Sequence, residues 1–148
     1  MRLILIVALI VFGQQAKPDL NGLWVVNKEK SAKAIKDGAV THERIWITVT
    51  EKEMTIGDDV GRVVCGFGKE RTESKSSRPM PPVVCSAKWD GDELVTTATR
   101  KPDPKRKDAP PETVTRLILA GTELTLTNKT RLWNGDEKKS LIVFEKGR

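Results

Sequence analysis

The sequence predicts an all-β protein in which about eight to ten short strands form an antiparallel meander that closes into a small barrel. Three observations support this fold class. Apolar and polar residues alternate over short stretches, turn-forming residues separate those stretches, and no long stretch after residue 16 shows a helical period. A closed barrel would also remove the exposed edges that strands rich in Thr and Val otherwise present. A β-sandwich of two sheets is the alternative architecture.

The first sixteen residues differ from the rest of the chain. Arg2 precedes an unbroken apolar run, Leu3–Phe12, and small or polar residues follow up to Ala16. This is the three-part layout of a secretory signal peptide. The run is about half the length that a membrane-spanning helix needs, roughly twenty residues, so no stable membrane anchor is expected. We predict a signal peptide over 1–16, cleaved after Gly13 or Ala16, and a single β-barrel domain over 17–148 in a periplasmic or extracellular protein.

The predicted strands follow one another at short intervals. The clearest is Arg44–Thr50, where Ile45 and its alternate neighbours face one way and Trp46 faces the other. Asp90–Asp92 and Asn134–Asp136 contain the glycine that favours tight hairpins. The strands expected in chain order are Gly22–Val26, Arg44–Thr50, Met54–Ile56, Arg62–Phe67, Val83–Trp89, Leu94–Thr99, Thr113–Leu119, Leu124–Thr127, Thr130–Trp133 and Leu141–Phe144.

Three other segments are not expected to form strands. Ser31–Lys36 is the best candidate for a single helical turn, with Ser31 as its cap and Asp37–Gly38 as its end. The segments near 69–82 and 100–111 are charged and rich in proline. Such a composition removes ladder hydrogen bonds and buries little surface, so both are predicted to be mobile loops.

Two cysteines, Cys65 and Cys85, lie in similar apolar stretches of the predicted domain. In an oxidising compartment a single pair of cysteines usually forms one disulfide. Adjacent antiparallel strands would bring their Cα atoms within reach, and closing a loop of about twenty residues stabilises a fold by roughly 3 kcal/mol. We therefore predict a Cys65–Cys85 disulfide, with two buried free thiols as the alternative.

Four short motifs in order carry a family resemblance. They are Leu20–Trp24, Asn27–Ser31, Ala87–Leu94 and Val143–Lys146. The first resembles the opening Gly-x-Trp of lipocalins and related calycin barrels. Together the four resemble a group of exported bacterial lipocalin-like proteins of unknown function.

The resemblance implies a fold and a compartment, and it brings no catalytic residue and no cofactor. In lipocalins the first Trp closes one end of the barrel, and a basic side chain from a late strand covers it. The resemblance therefore assigns barrel-end closure to Gly22, Trp24 and a basic residue. Arg131 and Lys146 are both candidates for that last role, and Arg131 is the one named for it.

Composition and motifs exclude several classes of function. The net charge of +6 is spread along the chain and does not form a nucleic-acid footprint. His42 is the only histidine, which excludes multi-histidine metal sites, and its polar neighbours predict a surface position. The acidic turn residues are ordinary turn chemistry. No catalytic residue, metal or cofactor is predicted, and the sequence favours a protein that is not an enzyme.

The remaining signals indicate binding. Trp46, Trp89 and Trp133 are candidates for contact with a small apolar ligand, although tryptophan also fills cores. The basic residues within Arg100–Lys107 could touch an anionic envelope surface, or form a solvated loop. The leading hypothesis is a non-catalytic binding protein for a small apolar ligand or an envelope component. A structural or protein-interaction module with a filled core is the second hypothesis, and a hydrolase is the third.

Overall fold

The computed structural model describes residues 16–40, 42–69, 74–76 and 82–148, with side chains in all of these except 74–76. The predicted signal peptide lies outside the described residues, apart from Ala16. The structure contains one short helix, α1 (Ala32–Lys36), and ten strands. The strands are β1 (Gly22–Val26), β2 (Arg44–Val49), β3 (Glu53–Gly57), β4 (Gly61–Phe67), β5 (Ser74–Ser76), β6 (Val83–Asp90), β7 (Glu93–Arg100), β8 (Glu112–Ala120), β9 (Glu123–Arg131) and β10 (Glu137–Lys146).

Nine of these strands close into a barrel, which confirms the predicted fold class. Their order around the wall is β3-β2-β1-β10-β9-β8-β7-β6-β4, and β4 pairs with β3 to complete the ring. The short strand β5 pairs with the beginning of β4 and is not part of the ring. Closure gives each of the nine strands a neighbour on both sides, although β4 and β6 pair over two residues only.

One pairing differs from the predicted antiparallel meander. β4 and β6 run parallel, with Gly66 opposite Ser86 and Phe67 opposite Ala87. Parallel neighbours need a connection of about a dozen residues or more, and the chain between Phe67 and Val83 supplies it. All other pairings among the described strands are antiparallel. The barrel is therefore an antiparallel meander with one short parallel seam.

The predicted disulfide lies at this seam. Cys65 and Cys85 are bonded, their Cα atoms are 4.4 Å apart, and they are separated by 20 positions in sequence. They precede Gly66 and Ser86 by one residue on the two strands, so the cross-link extends the parallel register by one step. The pairing is confirmed, and the strands that carry it are parallel instead of antiparallel.

Alternation places one set of side chains inside the barrel. On β2, Ile45 and Ile47 are 9% and 1% exposed, whereas Trp46 between them is 42% exposed. The same period on the other strands builds a core from residues that share an inward direction. The core includes Leu20, Trp24, Val26, Met54, Cys65, Cys85, Ala87, Leu94, Leu117, Leu124, Leu126, Ile142 and Phe144.

The predicted helical turn forms, but Ser31 does not cap it. The Ser31 side chain makes no capping hydrogen bond to α1. Its hydroxyl instead accepts a hydrogen bond from the Val143 amide at 2.9 Å and donates to the Val143 carbonyl at 3.1 Å. Because β1 ends at Val26, this part of β10 lacks a strand neighbour there, and Ser31 supplies the missing partner. The helix ends as predicted, with Gly38 at φ +70°.

The hairpins and loops agree with the sequence in most respects. The Asp90–Asp92 turn connects β6 to β7. The two strands predicted at Leu124–Thr127 and Thr130–Trp133 are a single strand, β9. Within the segment 100–111, the guanidinium carbon of Arg106 lies 4.7 Å from the centroid of the Trp133 ring. Its mobility stays a prediction, and most of the segment 69–82 lies outside the described residues.

Candidate functional site

One end of the barrel, here called the Trp24 end, is closed. Trp24 and Leu20 are each 1% exposed, and the Trp24 Nε1 donates a hydrogen bond to the Leu20 carbonyl at 2.9 Å. Gly22 has φ +118°, a conformation that other residues adopt only with strain. A side chain there would also meet the Lys146 ammonium, 3.1 Å from the position of a Cβ atom. Gly22 and Trp24 therefore lie at the closed end, where the resemblance predicted them.

The basic residue over Trp24 is Lys146, and the choice of Arg131 is corrected. The Lys146 Nζ lies 4.6 Å from the centroid of the Trp24 ring and donates to the Asn21 carbonyl. Arg131 ends β9 at the opposite end of the barrel, where its Nη2 donates to the Pro110 carbonyl at 3.3 Å. The reason is register: Lys146 pairs directly with Trp24 across β10 and β1.

A cavity of about 210 Å³ lies inside the barrel, and we call it the inner cavity. Its deeper wall is apolar and includes Met54, Leu117, Ile142 and Phe144, all buried. It reaches the surface beside His42 and Asp58, whose side chains are each 27% exposed. Because the Trp24 end is closed, the barrel is a cup with its opening at the opposite end, here called the mouth.

The part of the inner cavity toward the mouth is polar. The Thr115 hydroxyl donates to Asn128 Oδ1 at 2.7 Å, and Asn128 Nδ2 donates to the Ser140 hydroxyl at 3.5 Å. Across the mouth, His42 Nε2 lies 3.4 Å from Asp58 Oδ2. The interior thus changes from hydrocarbon at its base to hydroxyl, amide, imidazole and carboxylate groups at its opening. Such a gradient suits a ligand with one apolar and one polar end.

Sequence reasoning missed the role of His42. A lone histidine between polar neighbours predicted a surface position, yet the side chain is half-buried and lines the cavity. The neighbouring acidic residues Asp58 and Asp59 are typical of a turn, and Asp58 does perform that role, since its Oδ1 accepts from the Val60 and Gly61 amides at 2.8 and 2.9 Å. The β2–β3 hairpin brings the two residues together, since Trp46 lies opposite Gly57 and the pair lies just beyond these positions. The register of that hairpin is the signal that could have found this pair.

The three tryptophans predicted to bind ligand are far apart. Trp46 lies on the outer face of β2, Trp89 lies at the Trp24 end with Lys17 Nζ 5.7 Å from its ring centroid, and Trp133 lies in the β9–β10 turn. None of them lines the inner cavity. Their part in binding stays a prediction, and the structure does not join them into one site.

A larger depression lies outside the barrel, between α1 and the outer face of β8, β9 and β10. Its volume is about 750 Å³, and we call it the outer groove. Its lining includes Lys33, Ala34, Val114, Lys129, Lys139 and Leu141. Most of the sheet residues that line it alternate with those that line the inner cavity, and Asn128 borders both spaces.

The described residues contain no group of three or more His, Cys, Asp or Glu side chains that could hold a metal ion. In the same part of the chain, no helix combines the length and the apolar character needed to cross a membrane.

Comparisons with known proteins support the fold. The barrel is similar to the crystal structure of a secretary abundant heat soluble (SAHS) protein from Ramazzottius varieornatus, with a TM-score of 0.58 and 15% sequence identity. The alignment covers 90% of this chain and 98% of that one. The fold is a lipocalin-like β-barrel. At this identity the likeness shows the fold alone. No protein-family profile matches the chain, and no characterised protein matches it by sequence.

Proposed function

We propose that this protein is an exported, non-catalytic binding protein whose inner cavity takes a small ligand with an apolar body and one polar end. The observation that supports this most directly is the cup: a barrel closed at Trp24, with a cavity that is apolar at its base and polar at its mouth.

The volume of the inner cavity limits the size of the ligand. Pockets for drug-sized ligands occupy about 300–1,000 Å³, and the inner cavity is only about 210 Å³. We therefore expect a ligand of a few carbon atoms whose hydroxyl, carbonyl or amide group lies near Thr115 and Asn128. A long acyl chain would not fit without movement of the core side chains.

A neutral probe tests the cavity. Hexan-1-ol has a short apolar body and one polar end, and titration into isotopically labelled protein should shift the amide signals around Thr115 and Leu117. The expected affinity is about millimolar. Ala39→Phe places a ring in the mouth and should weaken binding at least tenfold. Ala32→Phe adds the same ring on the exposed side of α1 and should leave binding unchanged.

Specific results would contradict binding of the probe in the inner cavity. Shifts that persist in the Ala39→Phe variant, or wild-type shifts confined to outer-face residues, would show that the inner cavity does not bind the probe. If Ala39→Phe lowers the melting temperature sharply, Ala39→Leu provides a smaller obstruction at the same position. That variant should weaken hexan-1-ol binding to an intermediate degree.

Export is supported by the predicted signal peptide and by the disulfide, since disulfides persist in oxidising compartments. N-terminal sequencing of the protein secreted by its own host, or recovered from that host's periplasm, should give a first residue of Gln14 or Lys17. A cytoplasmic protein that retains Met1 and both free thiols would contradict export.

The small volume also favours a second candidate function. A barrel whose interior is nearly filled can act through its outer surface as a structural or interaction module. A wild-type protein that binds no small probe inside, yet binds through its outer face, would support this candidate.

A further inference from the structure

We propose that the outer groove is a second binding site, for a single-chain anionic amphiphile, with its acid group at Lys129 and Lys139 and its chain along Leu141, Val114 and Ala34. This inference does not depend on the proposed function of the inner cavity, because the residues that it uses line the outer groove and not the inner cavity.

The first supporting observation is the pairing of two lysines. Lys129 on β9 and Lys139 on β10 are directly opposite each other in the register, both are exposed, and both line the outer groove. Like charges in directly opposite positions destabilise a sheet. Lys129 Nζ has a carboxylate partner, Glu137, at 2.7 Å, whereas Lys139 makes no ion pair with the described residues. An anion bound between the two ammonium groups would offset their repulsion.

The second observation is that the wall of the outer groove carries mainly positive charge. Three further cations line it, Lys30, Lys33 and Arg116, and Asp37 is the only acidic residue of the lining among the described residues. Most of the carboxylates that pair with these cations lie outside the lining, as Glu93 does 2.8 Å from Arg116 Nη1. Exposed ion pairs contribute little to stability, so a bound anion can compete for the same donors.

These cations remain charged at neutral pH. The hydrogen bond to Asp37 raises the pKa of Lys33, and the hydrogen bonds to Glu93 and Asp90 raise the pKa of Arg116. The wall of the groove therefore keeps its positive charge throughout the range in which carboxylates and phosphates are anionic.

The third observation is the apolar surface between the cations. Leu141 is 50% exposed and lines the groove, with Val114 and Ala34 beside it. Ile35 on the adjoining helix is 41% exposed. Covering an exposed leucine on a sheet face with an apolar ligand removes apolar surface from water, which favours binding. The volume of the outer groove, about 750 Å³, is within the range of ligand sites. Apolar floor and cationic wall together match an alkyl chain with an acid group.

Dodecanoate below its micelle concentration is the probe, measured by isothermal titration calorimetry and by amide signal shifts. Wild-type protein should bind it, with shifts at Lys139, Leu141 and Val114. Lys139→Glu should weaken binding about tenfold or more, because it replaces a charged donor by a repelling carboxylate. Leu141→Asn should also weaken binding. Lys52→Glu makes the same charge change in the exposed β2–β3 turn at the Trp24 end, away from the groove, and should alter affinity less than about twofold at physiological salt.

Several outcomes would overturn the inference. Equal dodecanoate binding by the Lys139→Glu and wild-type proteins would do so. Loss of dodecanoate binding in the Ala39→Phe variant would place the acid in the inner cavity, while the cavity proposal itself is judged by hexan-1-ol. Binding of dodecyltrimethylammonium as tight as that of dodecanoate would remove the role of charge. Binding to anionic phospholipid vesicles or to an acidic peptide, without binding of monomeric dodecanoate, would assign the groove to a different partner.

Discussion

Reduction of the Cys65–Cys85 disulfide should destabilise the barrel at its parallel seam. Only Gly66 and Phe67 of β4 pair with β6, so the cross-link accounts for much of the closure at that point. The bond joins residues 20 positions apart, and a loop of about that length corresponds to roughly 3 kcal/mol on the chain-entropy model. For a domain of this size, that loss lowers the melting temperature by about 10 °C.

The assay is thermal unfolding, monitored by circular dichroism, of the oxidised wild-type protein, the reduced wild-type protein and the Cys65→Ala/Cys85→Ala variant. Both cysteines are 1% exposed, so reduction should be carried out in denaturant and followed by refolding in the presence of reductant. The reduced wild-type protein keeps both sulfur atoms in the core and therefore reports the cross-link alone. The Cys65→Ala/Cys85→Ala variant also loses core volume and should melt at a still lower temperature.

Two results would refute this reasoning. A melting temperature for the reduced protein within about 2 °C of the oxidised one would show that the seam does not depend on the cross-link. Recovery of two alkylated cysteines from native protein that was never reduced would show that the disulfide is absent in solution.

Three other predictions concern the ends, the charges and the outer face of the barrel. Lys146→Met should lower the melting temperature by a few degrees, since a cation over an indole ring contributes about 0.5–1 kcal/mol at an exposed site. Arg131→Met, the control, should have a smaller effect. Equal effects of the two substitutions would contradict the closure described for the Trp24 end. Hydrogen bonds from lysines hold the pKa of Glu43 and of Glu137 below the ordinary 4.5, so their stabilising contribution is present above about that pH and is lost as the pH falls through the lowered values. Replacing both by Gln should flatten the acid side of a plot of melting temperature against pH, and an unchanged slope would contradict this assignment. Trp46→Phe should leave the melting temperature nearly unchanged and reduce the fraction of tryptophan fluorescence that iodide quenches, because Trp46 is 42% exposed; an unchanged quenchable fraction would place Trp46 inside.

Local patterns predicted most of the strands. The alternation of Ile45, Trp46 and Ile47 fixed which face of β2 is buried, and the structure agrees. Gly91 and Gly135 both have positive φ in the hairpin turns that Asp90–Asp92 and Asn134–Asp136 predicted. These features depend on residues that are close in sequence, so they can be predicted from one amino-acid sequence.

Features that depend on closure were not predictable in the same way. The parallel pairing of β4 with β6 depends on the path of the long connection between these strands. The amino-acid composition of that connection does not predict its path. The choice between Lys146 and Arg131 needed the register of β10 against β1. The His42–Asp58 pair is different, because it needed only the register of the β2–β3 hairpin, in which Trp46 lies opposite Gly57. The outer groove escaped notice because Lys129 and Lys139 are ordinary surface residues until their strands are aligned.

The central claim is that a cup-shaped interior, closed at Trp24, receives a small ligand from the mouth. The most direct measurement is a nuclear Overhauser spectrum of methyl-labelled protein with hexan-1-ol. Contacts from the alkyl protons to the methyl groups of Leu117 and Ile142, with the hydroxyl end near Thr115, are the result that the account predicts. Contacts to Leu141 and Val114 alone, or none at all, would contradict it.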